Sequence, residues 1–106
     1  MKTIIKENTW LPGINHGWGN GYVIIPPGHK LHGKHYDNIK VDVHGGLTFS
    51  ELIDVELAEL WELDKEDIGG WLVGFDTAHY RDDMEHWPMD AVQAETDSLK
   101  SQLEAL

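Results

Sequence analysis

The 106-residue chain contains no cysteine, which excludes disulfides and thiolate metal ligands. It has no apolar run near the roughly 18 residues that a membrane span requires. The opening Met-Lys-Thr-Ile-Ile-Lys is basic, but no apolar stretch of signal-peptide length follows it. Cytoplasmic residence is the resulting expectation. A Gly-x-Ser-x-Gly elbow and a Gly-Lys-Ser/Thr phosphate loop are both missing, which argues against the hydrolase and P-loop chemistries built on them. Positive charge is scarce, with eight Lys and Arg against nineteen acids and a net charge of −11. A chain this acidic is unsuited to non-specific binding of duplex DNA.

The charge that is present is unevenly placed. Residues 1–50 hold five lysines and three acids, a balance of +2, and five of the seven histidines. Residues 51–106 hold sixteen acids against Lys65, Arg81 and Lys100, a balance of −13. The acidic half reads as a solvated surface, and the first half can hold a small anion locally.

The length fits one domain, residues 1–106, with a single modest core. No internal repeat or low-complexity tract divides it. Thr3-Ile4-Ile5 reads as a short edge strand or a loose terminus. Residues 10–21 carry four glycines and a proline, which predicts irregular chain. Tyr22-Val23-Ile24-Ile25, closed by Pro26-Pro27, reads as a strand. Residues 28–40 are turn-like, with a short helix near Tyr36–Ile39. Val41-Asp42-Val43-His44 alternates and predicts another strand. Leu47 to Ile53 continues the sheet after a Gly45-Gly46 turn. Residues 54–68 fit neither period. Trp71 to Phe75 is apolar on both faces, as a central strand should be. Pro88 and Asp90 mark a helix start, and Val92, Thr96, Leu99, Leu103 and Leu106 make one stripe. The predicted architecture is α+β, a small, mainly antiparallel sheet of four or five strands packed by a C-terminal amphipathic helix. Exposure of the Leu99/Leu103/Leu106 stripe would favour a homo-oligomer.

Two segments carry the chemistry: Val43-His44-Gly45-Gly46-Leu47-Thr48 and Gly74-Phe75-Asp76-Thr77-Ala78-His79. Each sets an imidazole, a hydroxyl and open backbone where a strand should stop. His44, Asp76 and His79 can form a facial metal triad, an acid–base pair, a ligand's hydrogen-bond partners or a structural turn. The Gly45 and Gly46 amides can face an oxyanion. His29, His32 and His35 recur every third residue, as metal donors, as a cationic loop that faces an anion, or as a solvated turn. Trp71 and Trp87 read as core. Trp18 lies between glycines, where it suits stacking on a flat base or covering the sheet.

Gly19-Asn20-Gly21-Tyr22-Val23…Pro26, His29…Gly33…Tyr36, the two histidine segments, Trp71 and a terminal helix with Glu95…Leu99 resemble small proteins encoded in bacteriophage genomes. The chain is similar to the anti-CBASS sponge family. The resemblance implies an oligomer that binds a cyclic dinucleotide, such as cyclic GMP-AMP, and sequesters it in the host cell without cleavage. On this reading Trp18 and Tyr22 stack on bases. His44, Thr48, the Gly45 and Gly46 amides and Arg81 face phosphates. Asp76 accepts from a guanine edge or a ribose hydroxyl, and His79 completes the pocket. No cofactor and no membrane partner are expected. The alternatives are a metal-assisted phosphodiesterase using His44, Asp76 and His79, or a phage factor that binds a host protein through Trp10, Trp61 and the acidic face.

Overall fold

A computed structural model describes residues 1–9 and 15–106. The expectation for Trp10 lies outside the described residues. The fold is α+β. Four strands, β1 (Lys2–Glu7), β2 (Gly19–Ile25), β3 (Phe49–Leu52) and β4 (Trp71–Phe75), form one sheet in the order β1-β2-β4-β3. Every neighbouring pair is antiparallel. Helix α1 (Val55–Leu60) is short, and α2 (Met89–Glu104) is long.

Side chains alternate across a strand, so an all-apolar central strand must be covered on both sides. Val23, Ile25, Val73 and Phe75 point to one face. There they meet Val92, Leu99 and Leu103 of α2, and Leu31, Ile39 and Val43 from the intervening loops. Tyr22, Ile24 and Leu72 point to the other face, where Ile53, Ala58, Leu57, Phe49 and Trp61 cover them. The helix stripe is therefore buried on the sheet. Leu99 and Leu103 are fully buried, and of the stripe only Leu106 is exposed, at 40%. The argument for self-association from an open stripe falls with that burial. Thr96 also points inward, and its hydroxyl donates to the Val92 carbonyl at 2.7 Å, so its burial leaves no polar group unmatched. No helix among the described residues is long and apolar enough to cross a membrane.

Residues 41–44 do not form the strand that their alternation predicts. Their backbone bonds go to α2 side chains instead. The Gln102 amide accepts from Asp42 N–H at 2.7 Å and donates to Asp42 C=O at 2.8 Å. Glu95 accepts from His44 N–H at 3.0 Å. Side chains thus replace a ladder partner, while Val43 still buries against the α2-side core.

A second correction concerns Gly19-Asn20-Gly21, which belongs to β2 and pairs with Glu7, Lys6 and Ile5. These glycines provide close approach: a Cβ on Gly21 would collide with the Thr96 hydroxyl of α2 and the Phe75 ring. The ambiguous 54–68 stretch resolves into α1 and one 3-10 turn. Asp54 caps α1 by accepting from Leu57 N–H at 2.8 Å. The helix ends with Leu63 N–H on Ala58 C=O and Glu62 N–H on Glu59 C=O, a Schellman closure. Glu62 occupies its left-handed position at φ 56°, where glycine is usual.

Candidate functional site

The two histidine segments converge at one end of the sheet, on the α2 side. Turn 43–46 closes with Gly46 N–H on Val43 C=O at 2.8 Å. Gly46 therefore uses its amide within the turn, which removes it from the predicted anion donors. Gly45 sits at φ 69°, and a Cβ there would lie 2.5 Å from the His79 ring. Only glycine lets the turn rest on that imidazole.

The second segment leaves β4 through Asp76. This carboxylate accepts from the Thr48 hydroxyl at 2.9 Å and from Ala78 N–H at 3.0 Å, and it lies 3.3 Å from His79 Nε2. Thr77 is fully buried and donates to Gly19 C=O at 2.6 Å. Gly17 N–H bonds to Thr77 C=O, and Trp18 N–H to Trp87 C=O, both at 2.7 Å. The 17–18 backbone is thereby tied into the same end of the molecule.

At the centre is a residue that sequence reasoning missed. Asp82 is 4% exposed. Its two oxygens lie 2.9 and 3.0 Å from His44 Nε2, and it accepts from His79 N–H at 2.9 Å. The His44 and His79 rings stand edge to face, with centroids 5.5 Å apart, and His44 also lies against Trp87 at 4.2 Å. Asp82 follows His79 by three residues, the same spacing that separates Asp76 from His79, so spacing gives no preference between the two carboxylates. The structure divides their roles: Asp82 binds the His44 ring and the His79 backbone, and Asp76 lies beside the Nε2 side of the His79 ring. Of the candidate residues His44, Asp76 and His79, the structure brings the two imidazoles together with Asp82 and leaves Asp76 beside His79 alone. One donor atom each from His44, His79 and Asp82 lies within 4.8 Å of the others, the one such metal-compatible group among the described residues.

The predicted aromatic wall does not form. Tyr22 is 7% exposed and wedged edge-on between Phe49 and Trp61 on the opposite face. Burial pushes its phenol above the usual tyrosine range. Trp18 is half-buried and packs against the α2-side core, which fits a cover for the sheet. Trp71 and Trp87 are likewise half-buried against that core. The ring that does stand open near the histidines is Tyr80, 90% exposed, with the Arg81 guanidinium 5.5 Å from its centre. Both line a cleft of about 480 Å³ together with Asn15, His79 and the carboxylates of Asp82 and Asp83. Arg81 is the chain's one arginine.

The other histidines do local work. His29 and His35 accept from the backbone N–H of Leu31 and Asp37, at 3.2 and 3.3 Å, and a His32 ring nitrogen meets Gly69 C=O at 2.7 Å. His86 pairs with Asp83 at 2.8 Å, which raises the imidazole, while the His86 backbone N–H and then its ring lower the Asp83 carboxyl. A larger cleft of about 570 Å³ borders α1, but Glu51, Asp54, Glu56 and Glu59 line it, and an anion would be repelled there. No protein-family model matches the chain, and neither a curated protein nor a solved structure matches it.

Proposed function

We propose that this protein binds a cyclic nucleotide signal, of the cyclic GMP-AMP class, and sequesters it without cleavage. In a phage-infected cell that activity would blunt a CBASS-type defence. The observation that carries the reading is the cleft at the convergent histidine segments, where an exposed Tyr80 ring and the sole arginine stand beside His79. A flat ring stacks on any nucleobase, and a guanidinium grips a phosphate in bidentate fashion. Tyr80 takes the stacking role first given to Tyr22, and Arg81 keeps its phosphate-facing role. Thr48 and Asp76, already bonded to each other, set the base or ribose edge of the site.

The test is incubation with cyclic dinucleotides and 3′,5′-cyclic mononucleotides, followed by denaturation and analysis of what is released. Recovery of intact nucleotide from the protein fraction is the expected result. Tyr80→Ala should weaken binding by about 10- to 100-fold, the usual value of one base stack. Absence of binding to every candidate overturns the proposal, and release of a cleaved product overturns sequestration.

A further inference from the structure

We propose that His44, His79 and Asp82 form a divalent transition-metal centre, with Asp76 as the outer-sphere partner that orients His79. The centre stands on donor geometry and does not depend on the nucleotide reading.

The first argument is electrostatic. Asp76 lies 3.3 Å from His79 Nε2 and is itself fixed by Thr48 and Ala78. A carboxylate on that side favours the tautomer with its proton on Nε2 and its lone pair on Nδ1. His79 Nδ1 is buried without a hydrogen-bond partner and lies 3.9 Å from Asp82 Oδ2. Two electron-rich atoms thus face each other away from water. A cation between them converts that repulsion into two bonds.

The second argument is distance. Ligand bonds of about 2.1 Å allow donors to stand up to roughly 4.2 Å apart around one ion. His44 Nε2 hydrogen-bonds Asp82 at 2.9 Å, and an incoming ion would take the place of that proton, which is released to solvent; His79 Nδ1 lies 3.9 Å from Asp82. The donor set as a whole lies within 4.8 Å, so closure requires only a small tightening.

The third argument is preorganisation. Trp87 supports the His44 ring, the turn at Gly45 presses on the His79 ring, and Glu95 holds the His44 backbone. Two imidazoles and one carboxylate on a face, with further positions open, suit Mn(II), Fe(II), Co(II) or Zn(II). His79 and Asp82 also line the Tyr80 cleft. An ion held there would add positive charge to a wall where Arg81 stands against Asp82 and Asp83.

The experiment uses the full chain after chelator treatment, without nucleotide, titrated with Co(II) by visible absorption and with Zn(II) by calorimetry. One ion per chain is expected. His79→Phe, which keeps a ring against Gly45, should weaken binding at least 100-fold. Asp76→Asn should weaken it about 10- to 100-fold, the usual loss for an outer-sphere partner. His32→Ala should leave it unchanged. Nitrogen NMR of the unmodified protein supplies a readout that does not depend on any variant folding. Zn(II) should shift His79 Nδ1 and His44 Nε2 and leave His29, His32 and His35 in place. Absence of a saturable site, unchanged affinity in His79→Phe, or shifts at the other histidines would overturn the centre.

Discussion

The two faces of the sheet are closed by different means. On the α2 side, a sixteen-residue helix lays an aliphatic stripe across the strands, and loops 28–48 fold under its flank. On the α1 side, a six-residue helix and three aromatic rings, Tyr22, Phe49 and Trp61, close a smaller core. Polar chemistry follows the first arrangement. The site hangs from α2 through Glu95 and Gln102, whereas the α1 face offers carboxylates and exposed Leu60 and Val55. A long helix can support backbone that is not in the sheet, and a helix of under two turns cannot. One face therefore carries both fold and site, and the other chiefly completes the fold.

Substitutions can separate those roles. Leu99→Ala removes a fully buried side chain beneath α2. It should cost about 2–5 kcal/mol and lower ligand or metal affinity along with stability, read by denaturant unfolding and Co(II) titration. Trp61→Ala strips the aromatic wedge from the other face and should cost roughly 2 kcal/mol. Its Co(II) affinity should stay within about twofold of the parent at a temperature where both are folded. A large loss of affinity in Trp61→Ala would break the division of labour between the faces. Gln102→Ala sharpens it from the other side. Stability should fall by only about 1 kcal/mol, because water can reach the freed Asp42 groups. Amide exchange at Asp42 and His44 should nonetheless speed up, and metal affinity should drop several-fold. The smallest effect is expected at Glu62→Gly. Relief of the left-handed backbone at φ 56° should add roughly 0.5–1 kcal/mol to stability, with no change at the site.

Much of this organisation is legible in the sequence, and the gaps have physical causes. The α2 stripe is read correctly because only a helix satisfies its period, and the β4 run because a short apolar stretch between Gly69-Gly70 and Asp76 suits a strand covered on both faces. Val41 and Val43 mislead because a strand and an extended segment clasped by side chains share the same alternation. Glycines 19 and 21 mislead because close approach and turning demand the same residue. Tyr22 sits in a strand buried on both faces, and period two does not say which face meets the helix. His44 and His79 were legible as a convergent pair. Asp82 was not, because two carboxylates flank His79 at equal spacing and only the fold ranks them. Tyr80 carries no sequence signal that sets it apart from the other aromatics, since exposure is a property of the folded chain.

The bonds from Glu95 and Gln102 to residues 42–44 span 51 and 60 positions of chain. During synthesis, turn 43–46 therefore emerges long before the side chains that fasten it, and the histidines wait for α2 to be made. A half-made chain has no competent site, so an occupant cannot be captured early and trapped in a partly folded form. Occupancy becomes a property of the finished molecule. It also locks together segments that only the complete fold brings side by side, so any bound ion or ligand should slow unfolding from the α2 end.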